Sequence, residues 1–264
     1  MSGSAVDKPS VLARLRQRAS IAKSRLAGPS YSDLEPEFIA LSEKVAPFTM
    51  TTVERRYALW TTVRHVLDQD LEGDVVECGV WRGGSSMLIG YLLADAGDES
   101  RRMWLYDTFE GMSLPTEHDV DPQGRRMTDV WEQHQGRKED EVFAYGSFEE
   151  VERNMLSTGF PADRVTYVKG KVEDTIPGQV PEKIAILRLD TDWYESTRHE
   201  LEQLWHRLVP GGVLIIDDYG HWAGARKAVD EFFAGREDAP LIVRIDDSGR
   251  MAVKTGSLSG RGLQ

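Results

Sequence analysis

Short apolar runs that end in acids or glycine and alternate with amphipathic stretches constrain this chain more than any other feature. They read "DVVECG" (74–79), "RMWLYDTF" (102–109), "RVTYVKG" (164–170), "IAILRLD" (184–190) and "VLIIDD" (213–218). A strand with no polar side has to be covered on both faces, which a parallel sheet achieves by carrying a helix on each crossover. The intervening stretches supply helices: "SSMLIGYLLADAG" follows the first run, and in "ESTRHELEQLWHRL" Leu201, Leu204, Trp205 and Leu208 share one face. The predicted fold class is therefore α/β, a doubly wound, mostly parallel sheet. "LIVRID" and "RMAVK" flank only "DSG", a hairpin-like turn, so an antiparallel strand is expected at one edge. Ahead of the sheet, a helical pattern covers 34–45, and a stronger one after Pro47 spaces Val53, Tyr57, Trp60, Val63 and Leu67 by three and four.

The segment from 34 to 254 reads as one domain. It is preceded by an arm (1–33) with Lys8, Arg14, Arg16, Arg18, Lys23 and Arg25 unopposed by acids between 8 and 25, and followed by a Gly- and Ser-rich tail (255–264). The arm is read as solvated or partner-packed and is assigned no chemistry. Residues 110–146 break the alternation with scattered polar groups, His118, Asp119, Asp121 and His134 among them, and are expected to form a lid over the site. With 44 acids against 32 bases the net charge is −12, which repels phosphate backbones and favours a neutral or cationic small molecule over nucleic acid. The single cysteine, Cys78, excludes an intrachain disulfide and a cysteine metal cluster and points to a reducing, cytoplasmic setting. No apolar run reaches the roughly 18 residues of a membrane span.

In "VVECGVWRGGSS" Glu77 and Gly79 close a strand, and Gly83, Gly84, Ser85 and Ser86 open a helix. Glycines there permit a tight turn and close approach of backbone to a ligand, although the spacing is not G-x-G-x-x-G. The next strand ends at Asp107, placed to accept from both hydroxyls of a ribose or else to hold a turn. Together these suggest a nucleoside-bearing cofactor across the carboxyl ends of the strands. An acid at the first turn would repel phosphates but suits the ammonium and sulfonium of S-adenosylmethionine. Glu77 would hold that cation directly or through water, or else satisfy nearby backbone N–H groups. The loop in "VKGKVEDT" (168–175) takes the adenine position, with Glu173 read as an exposed helix acid.

Four carboxylates, Asp190, Asp192, Asp217 and Asp218, follow two strands that would be neighbours with ends roughly 5 Å apart. Unpaired acids that close destabilise one another, so a cation is the expected compensation; oxygen ligands without cysteine or clustered histidine select Mg²⁺, Mn²⁺ or Ca²⁺ over zinc. The competing structural reading is a helix cap, since "DTDWYEST" leads directly into a helix.

"GDVVECGVWRGGSS", "YDTFEGM", "LRLDTDWYEST" and "PGGVLIIDDYG" resemble the macrocin O-methyltransferase family of Mg²⁺-dependent enzymes, which methylate sugar hydroxyls of antibiotics with S-adenosylmethionine; the similarity runs from about Pro47 to Lys254. The resemblance implies a Rossmann-like class I methyltransferase fold. It implies that Asp190, Asp217 and Asp218 hold Mg²⁺ or Mn²⁺, that Asp192 is the general base, and that Glu77, Gly79, Asp107 and Thr108 line the S-adenosylmethionine site with Thr49 and Met50 of "PFTMTT" reaching it. Composition alone would make Met50 a core residue. Ser147 and Glu150 are read as a capping box before a helix. Thr191 and Trp193 stand where the family commonly has Gly and Ser, adding bulk expected to reshape the acceptor pocket. The implied acceptor is a saccharide: an antibiotic sugar, a free glycoside or an oligosaccharide end. Two rival readings are a metal-dependent glycosyltransferase using the D-x-D of "DTD" and a non-catalytic cofactor-binding scaffold. Family analogy and exposed aromatic residues on the leading helices point to a homodimer or larger assembly.

Overall fold

The computed structural model describes residues 31–134 and 144–256; the basic stretch at 8–25, the centre of the 110–146 insertion and all but the first two residues of the 255–264 tail lie outside the described residues. The chain divides into two units, Met1–Ile39 and Ala40–Gln264, and the sheet and the cavity below belong to the second. The helices are α1 (Pro36–Val45), α2 (Val53–Asp68), α3 (Gly84–Asp95), α4 (Met127–Gln133), α5 (Phe148–Leu156), α6 (Val172–Thr175), α7 (Tyr194–Leu204) and α8 (Ala223–Phe233). The strands are β1 (Asp74–Cys78), β2 (Met103–Asp107), β3 (Val165–Lys169), β4 (Ile184–Leu189), β5 (Leu208–Ile216), β6 (Val243–Arg244) and β7 (Arg250–Val253). They form one sheet in the order β3-β2-β1-β4-β5-β7-β6, parallel from β3 through β5 and antiparallel at β7 and β6. The expected antiparallel edge is thus two strands, the outer one only two residues long.

All six residues of β4 are buried, as a central strand covered on both sides requires. Alternation sorts its side chains: Leu187 and Leu189 join Val76, Cys78, Leu214 and Ile216 in a core that also takes in Leu201, Leu204 and Trp205 of the α7 region and Val229 and Phe233 of α8. The same alternation turns Glu77 and Arg188 to the opposite face, towards Ser86 of α3. Each fully buried Leu or Ile contributes about 1.5–3 kcal/mol. Trp60 of α2 is 5% exposed and packs within the chain, while Tyr57, stacked on it at 5.7 Å, is partly exposed.

The insertion is more regular than its sequence pattern promised, and its order comes from buried acids. Asp119, fully buried, accepts from Thr116 N (2.6 Å), Thr116 Oγ1 (2.9 Å) and Tyr194 N (2.8 Å). Asp121 accepts from the backbone N–H of Gln123 (2.9 Å) and Arg125 (2.8 Å). Val120 pairs with Arg126, its carbonyl accepts from Ala223 N (3.0 Å), and α4 follows at once. The insertion is therefore tied to the N-termini of α7 and α8. Ser147 caps α5 by accepting from Glu150 N, but the Glu150 carboxylate turns to Arg82 (2.7 Å), so half of the capping box forms. Among the described residues no helix is long and apolar enough to cross a membrane.

Candidate active site

The strand order reverses between β1 and β4, and at the carboxyl ends of the strands there a cavity of ≈ 620 Å³ opens, the usual ligand position of an open parallel sheet. Thr49, Met50, Glu77, Gly79, Asp107, Thr108, Asp190, Asp192, Asp217 and Asp218 all line it. So do Gly170, Lys171, Val172 and Glu173 after β3, where the adenine loop was expected, and Met112, Ser113, Gln123, Met127 and His134 of the insertion.

At the first turn Gly79 has φ +82°, and a Cβ there would lie 1.9 Å from the Asp190 carbonyl oxygen, so only glycine lets β1 end against the residue that follows β4. Asp107 holds the turn: Oδ2 accepts from Val80 N (2.7 Å) and Trp81 N (3.1 Å), and Oδ1 from Phe109 N (2.7 Å). Burial pushes its pKa up, and these N–H groups oppose the rise. The turn reading of Asp107 is thus realised, in a residue that also lines the cavity. Thr108 Oγ1 donates to Gly111 O (2.5 Å), steering the chain into the insertion. Met50 is 60% exposed, which overturns its reading as a core residue. Thr49 shares a hydroxyl hydrogen bond with Thr51 (2.9 Å).

Glu77 is 1% exposed, and its partners are side chains rather than the backbone N–H groups anticipated: Arg188 Nη1 donates to it at 2.7 Å, and Ser86 Oγ donates as well. Burial raises its pKa against the pull of Arg188. The same Nη1 lies 2.7 Å from Asp190 Oδ2, and Nη2 lies 2.7 Å from Asp217 Oδ1. One buried guanidinium therefore joins the acid of the first turn to the acids beyond β4 and β5. A second arginine, Arg55 of α2, pairs with the other Asp217 oxygen and, through Nε, with Asp246 Oδ2 (3.0 Å). Neither arginine was recognised from sequence. Arg188 carried a signal, a lone charge inside "IAILRLD", because a cation on a doubly covered strand has to find buried anions. Arg55 looked like any polar helix residue.

Asp190, Asp217 and Asp218 each present an oxygen such that all three lie within 4.8 Å of one another. Burial first, and then the neighbouring aspartates, push Asp218 well above the usual carboxylate range; burial and Asp217 do the same to Asp190, with Arg188 opposing. The oxygen-only donor set fits Mg²⁺, Mn²⁺ or Ca²⁺. The arginines supply part of the charge compensation that sequence reasoning assigned wholly to a metal.

Asp192 sits apart from this trio in a left-handed backbone conformation, φ +68°. Its Oδ1 accepts from Trp222 Nε1 (2.6 Å), and its own N–H donates to Asp218 Oδ2 (3.2 Å). Burial raises its pKa to about 6, the indole bond opposing and Asp217 adding to the rise. The helix-cap alternative fails for this motif: the N-cap of α7 is Trp193, which makes no side-chain cap, and the Tyr194 N–H is taken by Asp119 of the insertion. Thr191 Oγ1 donates to Glu200 (2.9 Å), and Trp193, 2% exposed, donates its indole N–H to Ser113 O (2.9 Å). These two residues thus brace the acidic loop and the insertion while also lining the cavity.

The macrocin O-methyltransferase (TylF) family model matches residues 24–252. The 8-demethyl-8-(2,3-dimethoxy-α-L-rhamnosyl)-tetracenomycin-C 4'-O-methyltransferase of Streptomyces olivaceus is 37% identical over 234 residues, 88% of this chain and 85% of that one. The mycinamicin III 3''-O-methyltransferase of Micromonospora griseorubida is 34% identical over 201 residues, covering 76% of each chain. Among solved structures, that of the O-methyltransferase NovP superposes with a TM-score of 0.67 at 30% identity, covering 79% of this chain and 83% of that one. A glycosyltransferase reading of the D-x-D motif does not survive these matches. With its family model, its relatives and its sheet order in agreement, the chain belongs to the macrocin O-methyltransferase family and is an S-adenosylmethionine-dependent O-methyltransferase.

Proposed function

We propose that the protein methylates a hydroxyl of a sugar borne by an antibiotic-type glycoside, with a divalent ion at Asp190, Asp217 and Asp218 and with Asp192 as general base. The observation that carries this reading is the convergence of three carboxylates beside the cofactor turn, together with a fourth, Asp192, held by an indole N–H and not employed as a helix cap. The relatives support the acceptor class, since one acts on a rhamnosyl tetracenomycin and another on mycinamicin III.

Asp107 and the tight backbone of the first turn would orient the nucleoside, and Glu77 would lie beneath its ammonium. When bound, S-adenosylmethionine supplies an electrophilic methyl on a sulfonium. When bound, a divalent ion acidifies a hydroxyl; the ordinary gap to neutrality is about 9 units, or roughly 12 kcal/mol, of which Mg²⁺ supplies only part. Asp192 takes the remaining burden, holding the acceptor's proton on a carboxylate whose orientation Trp222 fixes. A positioned base contributes about 10² to 10⁴ in rate. The Trp193–Trp222 pair, ring centroids 5.2 Å apart, flanks that carboxylate and would limit its access to water.

The experiment is methyl transfer from labelled S-adenosylmethionine to a panel of rhamnosyl and macrolide glycosides, with Mg²⁺ and after chelation. Label should enter at least one glycoside, vanish with chelator and return with Mg²⁺ or Mn²⁺. Undiminished transfer in chelator would remove the metal from the reading.

A further inference from the structure

Both oxygens of Asp217 are held by guanidinium groups: Oδ1 accepts from Arg188 Nη2 at 2.7 Å, and Oδ2 accepts from Arg55 Nη1. Each oxygen keeps a second lone pair, so a divalent ion that takes Asp217 as a ligand meets a guanidinium at whichever oxygen it uses, and it is charge repulsion that sets the two cations in competition. The two arginines are unequal competitors. Arg188 is 2% exposed and also pairs with Glu77 and Asp190, so its withdrawal would leave the buried Glu77 and Asp217 and the partly buried Asp190 without it. Arg55 stands on the first turn of α2 with a side chain 15% exposed, and it already has a second anion.

That anion, Asp246, is fixed independently of Arg55. Its Oδ1 accepts from Ser248 N (2.9 Å) and Gly249 N (2.6 Å) in the β6–β7 turn, and its Oδ2 accepts from Thr52 Oγ1 (2.7 Å) as well as from Arg55 Nε. The turn is also shaped around the arginine: a Cβ on Gly249 would lie 2.9 Å from both Cγ and Cδ of Arg55. Ser248 Oγ donates to the Asp217 carbonyl (2.6 Å), tying the same turn to the acid loop.

We propose that Arg55 and Asp246, neither of them a ligand, set the divalent-ion affinity of the three aspartates: Arg55 is the cation the ion displaces from Asp217, and Asp246 is the anion that keeps it. This rests on the reading of Asp190, Asp217 and Asp218 as the metal site. Because coupling is reciprocal, the factor by which the Arg55–Asp246 pair raises ion affinity is the factor by which a bound ion favours that pair over the Arg55–Asp217 contact.

The test is calorimetric titration of the full chain with Mn²⁺ in the absence of acceptor. Arg55→Gln should bind Mn²⁺ about tenfold more tightly, and Asp246→Asn about five- to tenfold more weakly, because Arg55 is then left with Asp217 as its remaining strong partner. A simple change in local field gives the same two signs, so the double variant decides. Exchange predicts that Arg55→Gln/Asp246→Asn binds like Arg55→Gln alone; a field effect predicts additivity and a return to roughly the wild-type value. Additivity, or an Arg55→Gln affinity no tighter than wild type, overturns the proposal. Should Arg55→Gln fail to fold, a wild-type affinity in Asp246→Asn overturns it equally. Absence of Mn²⁺ binding to the wild-type chain defeats the metal reading itself, a result distinguishable from failure of the exchange.

Discussion

Arg188 shows what one charged residue can organise when its strand is covered on both faces. It contacts Glu77, Asp190 and Asp217 at the ends of three adjacent strands, so the first-turn half of the cavity and the acidic half share a cation. Asp192 has no contact with it and depends on Trp222 and on the Asp218 carboxylate. That separation gives the residue-level prediction: Asp192→Asn should lower turnover by about 10² to 10⁴ while leaving S-adenosylhomocysteine affinity within about twofold, as measured by single-turnover kinetics and calorimetry. Equal loss of both would remove Asp192 from the role of base. The aspartates themselves were legible from their spacing, because acids after adjacent parallel strands have to converge. Arg55 was not, because its partners lie 162 and 191 residues away and nothing local to "TTVERRY" distinguishes Arg55 from Arg56.

At the scale of elements, the strands and long helices followed from apolar periodicity, whereas the insertion did not. Its order rests on buried aspartates accepting from backbone N–H groups, an arrangement without a repeat to detect. Asp119 is the sharpest case, since it closes its own turn and also caps α7 from outside the helix. Replacing it with Ala leaves the Thr116 and Tyr194 N–H groups short of a charged acceptor, each a loss of about 1.5–3 kcal/mol. Asp119→Ala is therefore expected to become sensitive to limited proteolysis within 111–134 and to lose turnover before it loses the sheet's circular dichroism. Unchanged cleavage would show that the insertion is held by its other contacts. Ser147 taught a smaller lesson: the cap was readable, but the diversion of Glu150 to Arg82 was a tertiary choice that no local pattern records.

The whole molecule is a sheet whose order reverses between β1 and β4, and that reversal places the cavity before any side chain is considered; the alternation of runs predicted the doubly wound sheet but not the point of reversal. Since the cavity is lined from the first turn, the acid loops and the insertion together, a ligand filling its first-turn half should stabilise the fold as a unit. S-adenosylhomocysteine at about 100 times its dissociation constant adds roughly 2.7 kcal/mol, a rise of about 5 to 10 °C in the melting midpoint by calorimetry. No shift would place the cofactor elsewhere. Trp193, which follows the acidic loop directly, donates to Ser113, and Tyr194 donates to Asp119, so the insertion and the start of α7 are fastened to each other. Chimeras that graft a relative's 111–134 segment to redirect selectivity will consequently have to transplant 190–197 with it, because either piece alone arrives without the counterpart that holds it in register.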